Sequence, residues 1–323
     1  AAAMALADTG LADTRLEALV RTGATKVLHR AWQPKLRYCR PNRRSYPHLW
    51  LWDSCFHSIA WSALGDARAL RELEAVFEGQ LPNGFLPHMR YGRRTYQRGP
   101  LAAVSSFTQP PVFARALHAA KLAGLAASGE TLFTALLTKA ERALDALWRE
   151  RSRDGLLVIV HPWEAGTDDS PRWDSWIGSS TWRRRVWTKA DRELLDTTVF
   201  SAEDVAIDNP CFVVAPASFN AIAADAALTL GDLLDDESWR NRGRALAKTL
   251  DDAAWDDGQQ LWSDVALRGG GDSSRIPTSD AVLPALCTPD HGRADKALSQ
   301  LTLPDRFGAP YGPRFVPLGE PSY

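Results

Sequence analysis

Residues 143–160, ALDALWRERSRDGLLVIV, and residues 250–265, LDDAAWDDGQQLWSDV, share one plan. In each, a stretch with the apolar spacing of a helix reaches a tryptophan, Trp148 or Trp255. It then runs into a charged turn holding a glycine and leaves as a short hydrophobic segment. A unit of this kind, repeated far apart in one chain, predicts helical hairpins that stack side by side.

The surrounding sequence agrees. Residues 11–31, 66–80, 110–127, 129–150, 218–233, 236–254 and 291–301 space their apolar side chains three and four apart, as amphipathic helices do. Short loops with Gly and Pro separate them, and no stretch alternates polar and apolar residues as a half-buried strand would. The expected class is all-α, and helical hairpins closing into a ring give an (α/α)6 toroid. Roughly ten helices are legible where six hairpins need twelve. Residues 1–323 therefore read as one domain whose last helices lie beyond this sequence, with Ala1–Ala3 as a cloning remnant.

Composition removes several classes of function. Lys and Arg (38) balance Asp and Glu (39) to a formal net charge of −1, so no global field draws nucleic acid or anionic lipid. No run approaches the ~20 apolar residues of a membrane span, and the opening AAAMALADTG lacks a signal-peptide pattern. Cys39, Cys55, Cys211 and Cys287 are scattered without a CxxC, which spells neither a zinc motif nor a redox motif and fits a reducing cytoplasm. The stretch DDGQQLWSD (256–264) lacks the ligand spacing of a calcium loop, so no metal is expected. Nucleotide and serine-hydrolase motifs are absent, and no cofactor is expected. A small-molecule partner is left, with assembly into a homo-oligomer open.

Five irregular segments combine aromatics with carboxylates or amides: YPHLWLWDSCFH (46–57), GQLPNGFLPHM (79–89), SSFTQPP (105–111), HPWEAGTDDSPRWD (161–174) and FGAPYGPRFVPLGEPSY (307–323). Thirteen tryptophans in 323 residues fit the same picture, since many sit beside polar stretches and not in apolar stripes. Such groups stack on sugar faces and bind sugar hydroxyls. In a ring of hairpins, loops from scattered positions meet at one mouth, on a rigid helical frame.

LWDSCFH, QLPNGFLPHM, SSFTQPP and HPWEAGTDDSPRWD, in that order, resemble the motif series of glycoside hydrolase family 63. The likeness is strongest to its bacterial branch of mannosylglycerate and glucosylglycerate hydrolases. It runs from Tyr46 to Asn220, where IDNPCFVVAPASFNAIAADA (207–226) resembles the next helix of that family, and more weakly to Tyr323. The resemblance implies an (α/α)6 toroid and an inverting α-glycosidase acting on a small α-glucoside or α-mannoside. Its general acid is the Asp of W-E-x-G-x-D, here Asp168, and the positions matching the sugar subsite are Tyr46, Trp52, Asp53, Gln109 and Trp163. Glu164 and His88, in the same motifs, join the substrate-binding candidates. The general base of the family is a Glu beyond a Y-W-R-G-P-x-W stretch that these residues do not reach. The family commonly has Asn after the acid, where this chain has Asp169. A trehalase-like enzyme or other small-sugar α-glucosidase on the same ring is the alternative within the class. A non-catalytic sugar-binding toroid is the alternative outside it.

The chemistry has its own requirements. Inverting hydrolysis needs one protonated carboxyl to donate to the leaving oxygen and one carboxylate to activate water, roughly 6.5–9.5 Å away. The acid therefore wants a raised pKa. Burial between Trp163 and Trp173, with Asp169 and Glu164 nearby, would raise it, although an Asp before Ser-Pro also serves as a plain turn cap. His57, four residues after Asp53, reads as a partner of that carboxylate or as a structural bond. His161 reads as scaffolding. Arg172 reads as paired with Asp174 or Glu164, or as a clamp on a substrate carboxylate. WRRRVW (182–187) reads as a loop closing over an anionic aglycone.

Overall fold

The computed structural model describes residues 14–42, 44–91, 101, 103–178 and 183–320, so Ala1–Ala3 and Trp182 lie outside the described residues. The chain is mainly helical. Its longer helices are α1 (Thr14–Ala31), α2 (Leu51–Ala63), α3 (Arg68–Phe77), α4 (Phe113–Leu122), α5 (Glu130–Arg151), α6 (Arg184–Thr197), α7 (Ala217–Leu234), α8 (Glu237–Ala254) and α9 (His291–Ser299). Three consecutive pairs turn back on themselves: α2 with α3, α4 with α5, and α7 with α8. The first members pack against one another, α2 on α4 and α4 on α7, while α3 lies against α5 outside them.

Sequence decides which helix goes inside. The α7 sequence ASFNAIAADAALTLGDLL is small or apolar on nearly every face and is buried on nearly every face. Its partner α8 carries charges along one side and buries only Trp239, Leu246, Leu250 and their neighbours. The two approach closely at Gly243, where a Cβ would lie 2.8 Å from Cγ of Leu228 and 2.9 Å from the carbonyl oxygen of Ala224. One continuous apolar core, including Trp61, Leu73, Phe113, Leu144, Phe219 and Leu250, fills the space between the layers. Among the described residues, no helix is long and apolar enough to cross a membrane.

The echoed units are helix-then-hairpin structures. Ser152–Arg153 pairs with Leu156–Leu157 after α5, and Trp255–Asp256 pairs with Leu261–Trp262 after α8. A third member follows α1, where Trp32–Gln33 pairs with Tyr38–Cys39. In all three the turn passes through a left-handed residue, Arg37 (φ 61°), Asp154 (φ 50°) or Gln260 (φ 53°). The third copy, WQPKLRYC, has no glycine at its turn, which hides it in the sequence.

Four expectations need correction. Strands do occur, among the described residues as six two-stranded ladders of two to four residues per strand, too short for alternation to be legible. The helix expected over 110–127 breaks at Gly124, whose φ of 75° ends α4 before the short helix Leu125–Ser128. Segment 46–57 is not a loop throughout, because α2 starts at Leu51. The WRRRVW segment is helical from Arg184, where α6 begins.

Candidate active site

The start of α2 is built by partners distant in sequence, which is why no capping residue announces it. Trp50 is extended and pairs with Met89, and the amide of Leu51 donates to the carbonyl of His88 at 2.8 Å. The amide of Trp52 donates to Oε1 of buried Gln109 at 3.4 Å. Two of the unpaired amides of a helix N-terminus are thereby met by side chain and strand. Trp52 and Asp53 are left on the first turn, facing a cavity of about 510 Å³.

The wall beside Trp52 is the segment Gly166–Ser170. Two 3-10 turns hold it, Pro162–Ala165 and Pro171–Trp173, each begun by a proline behind a side-chain cap from His161 or Ser170. Gly166 ends the first turn at φ 75°, and its missing Cβ matters, because one there would lie 2.5 Å from Cη2 and Cζ2 of Trp52. Any side chain would displace the indole.

Arg172 is the hub beneath this wall. Its guanidinium meets both carboxylate oxygens of Asp264 at 3.0 and 2.9 Å, Oδ2 of Asp280 at 2.9 Å and Oγ1 of Thr167 at 3.0 Å, while Nε donates to Oγ of Ser170 at 3.0 Å. The expectation of a pair with Asp174 or Glu164 is corrected by these contacts, whose partners lie 92 and 108 residues downstream. Trp173, fully buried, adds an indole N–H to the carbonyl of Thr167 at 2.8 Å. Asp264 also accepts the amide of Ala217 at 2.9 Å, so the hub is tied to the first turn of α7.

Asp168 stands on this braced loop, partly buried in the cavity wall. Burial pushes its pKa up to about 7, and the negative charges of Asp169, Asp191 and Asp53 push the same way. Glu164 is engaged elsewhere. It is fully buried, with Oε1 taking the amide of Thr108 at 3.0 Å and the guanidinium of Arg151, and Oε2 taking the amide of Val160 at 2.8 Å. Burial also raises the pKa of Asp53, opposed by His57.

The cavity thus brings together Tyr46, Trp52, Asp53, Gln109 and Asp168 from three separate segments. His88, Trp163 and Glu164 are not on its wall. His88 is buried behind Trp50, ring centroids 5.5 Å apart, bonded to Oγ of Ser105, and held at a pKa of about 4 by burial. Trp163 packs on His161, His88 and Phe107. His57 turns to Glu72 at 3.4 Å and not to Asp53. Sequence reasoning missed Pro41, Trp50, Thr167 and Phe315 on the wall, and Asp191, whose charge reaches Asp168. Asp191 was findable as an acid on the buried stripe of α6 between Ala190 and Leu194. An arrangement of aromatic faces, an amide and a carboxyl that holds its proton near neutrality suits a sugar and acid catalysis on it.

Residues 46–323 match the model of the mannosylglycerate hydrolase MGH1-like glycoside hydrolase domain. The chain belongs to this family of glycoside hydrolases. Mannosylglycerate hydrolase of Rubrobacter radiotolerans is 28% identical over 319 residues, covering 83% of this chain and 71% of that protein. Glucosylglycerate hydrolase of Mycolicibacterium hassiacum is 31% identical over 159 residues, 40% of this chain and 34% of that protein. The crystal structure of the GH63 mannosylglycerate hydrolase of Thermus thermophilus with glucose superposes with a TM-score of 0.70 at 26% identity, covering 93% of this chain and 81% of that one. The family match spans every segment that lines the cavity except Pro41.

Proposed function

We propose that this glycoside hydrolase is an inverting α-glycosidase of small glycerate glycosides, glucosylglycerate or mannosylglycerate, working on an (α/α)6 ring. The observation that carries the reading is Asp168, a carboxyl whose pKa of about 7 keeps much of it protonated near neutrality, on a loop braced by a buried arginine. In this reading the sugar enters the cavity lined by Tyr46, Trp52, Asp53 and the Gly166–Ser170 loop. Trp52 offers its indole face, while Asp53 and Gln109 bind hydroxyls. Asp168 gives its proton to the glycosidic oxygen as the bond to the anomeric carbon breaks, and glycerate leaves as a neutral alcohol at that oxygen. A second carboxylate removes a proton from the attacking water. The resemblance assigns it to a Glu that follows a Y-W-R-G-P-x-W stretch, so no residue of the described cavity is given that role. The relatives named mannosylglycerate and glucosylglycerate hydrolases support the choice of glycoside.

Release of glucose or mannose from the two glycosides by the natural full-length protein, followed by proton NMR of the first-formed anomer, tests the reading. The β-anomer is expected first. Release of the α-anomer would replace inversion by retention, and no release from either glycoside would favour a sugar-binding role.

A further inference from the structure

One helical turn beyond Asp53, α2 meets a second group of side chains that the cavity does not use. Sγ of Cys39, a ring nitrogen of His57 and a carboxylate oxygen of Glu72 all lie within 4.8 Å of one another. They come from three elements, the hairpin strand Tyr38–Cys39, α2 and α3, which explains why no ligand spacing is visible in the sequence.

The charge of Arg68 reaches Cys39 from a distance, but Glu72 has no such cation directly on it among the described residues. Glu72 is fully buried and accepts the amide of Cys39, at 2.8 and 3.0 Å to its two oxygens. Among the described residues, no Lys or Arg nitrogen pairs with it, and its one ionic neighbour is Nδ1 of His57 at 3.4 Å. That nitrogen is itself buried and makes no hydrogen bond. A buried carboxylate without a cation is costly, and a buried ring nitrogen without a partner adds to the cost.

We propose that Cys39, His57 and Glu72 are the protein ligands of a zinc site. Thiolate, imidazole and carboxylate together suit Zn²⁺, whereas Ca²⁺ and Mg²⁺ call for oxygen donors alone. On binding, the thiol of Cys39 releases its proton to solvent and coordinates as thiolate, and His57 coordinates as neutral imidazole. His57 is the one partly exposed member and gives the entry path. The ion fastens the hairpin and α3 to the helix that presents Trp52 and Asp53, and the proposal stands apart from the glycosidase reading. Without an ion, direct pairing of His57 with Glu72 accounts for the same side chains.

Cobalt titration of the full chain, stripped of metal, tests this. A thiolate-to-cobalt absorption band that saturates at about one equivalent, is displaced by zinc and is missing in Cys39→Ser is the expected result. Cys211→Ser, which removes the exposed cysteine, leaves the band in place. Zinc is expected to raise the melting temperature of the wild type and not that of His57→Gln, a readout that holds if Cys39→Ser fails to fold. A folded wild type that shows no band and no zinc-dependent melting shift overturns the site in favour of the ion pair. A band that survives in Cys39→Ser overturns it too.

Discussion

Trp52 lies against the space where Gly166 has no side chain, with the indole 2.5 Å from the position a Cβ would take. This contact joins the first turn of α2 to the loop of Asp168, so the aromatic wall and the acid are set by one another. Gly166→Ala would strain a backbone at φ 75° and push the ring aside. A loss of about 1–3 kcal/mol of stability is expected, read by urea unfolding, together with a turnover loss beyond about tenfold. Trp52→Phe in the same chain should restore part of the stability and little of the turnover.

Asp169 adds negative charge beside the acid, where the resembled family commonly has Asn. Asp169→Asn removes a repulsion that raises the pKa of Asp168. The descending limb of kcat/KM against pH, which follows loss of the Asp168 proton, should move to lower pH. An unchanged limb would separate Asp169 from the acid.

Asp168 also leaves a mark on stability. The native state holds its proton up to a pH of about 7, while the unfolded chain releases it near the ordinary value of 3.8. Between these values the native state binds more protons, so its stability falls as pH rises through that window. Asp168→Asn lacks this penalty. Its stability advantage over wild type should grow from about pH 4 to about pH 7 and level off above, at most roughly 4 kcal/mol. Paired melting curves across that range measure it.

Removing Arg172 would leave Asp264, already pushed up to about 6 by burial, without its cation. Arg172→Met is expected to cost about 3–5 kcal/mol in urea unfolding, and Asp264→Asn added to it should return part of the loss. A cost below ~1 kcal/mol would remove the hub from the account.

Local pattern made part of this protein legible. The buried stripes of α3, α5 and α8 repeat at helical spacing, whereas the twin tryptophan units, read as helical hairpins, are helices that end in β-hairpins. The start of α2 escaped because its amides are met by His88 and Gln109, partners that only folding supplies. The hub escaped for the same reason. Nothing near Arg172 says that its carboxylates are Asp264 and Asp280. At the site, motif order placed Tyr46, Trp52, Asp53, Gln109 and Asp168 in candidate roles. It could not separate the wall from its backing, where His88, Trp163 and Glu164 share the motifs yet stand behind the cavity.

The acid role of Asp168 is tested most directly by comparing leaving groups. In the natural full-length protein, Asp168→Asn should lower turnover of the glycerate glycoside by about 10²–10⁴-fold. Hydrolysis of a dinitrophenyl α-glycoside, whose phenolate leaves without a proton, should stay close to the wild-type rate. Equal losses on both substrates, or no loss on the glycerate glycoside, would contradict the assignment.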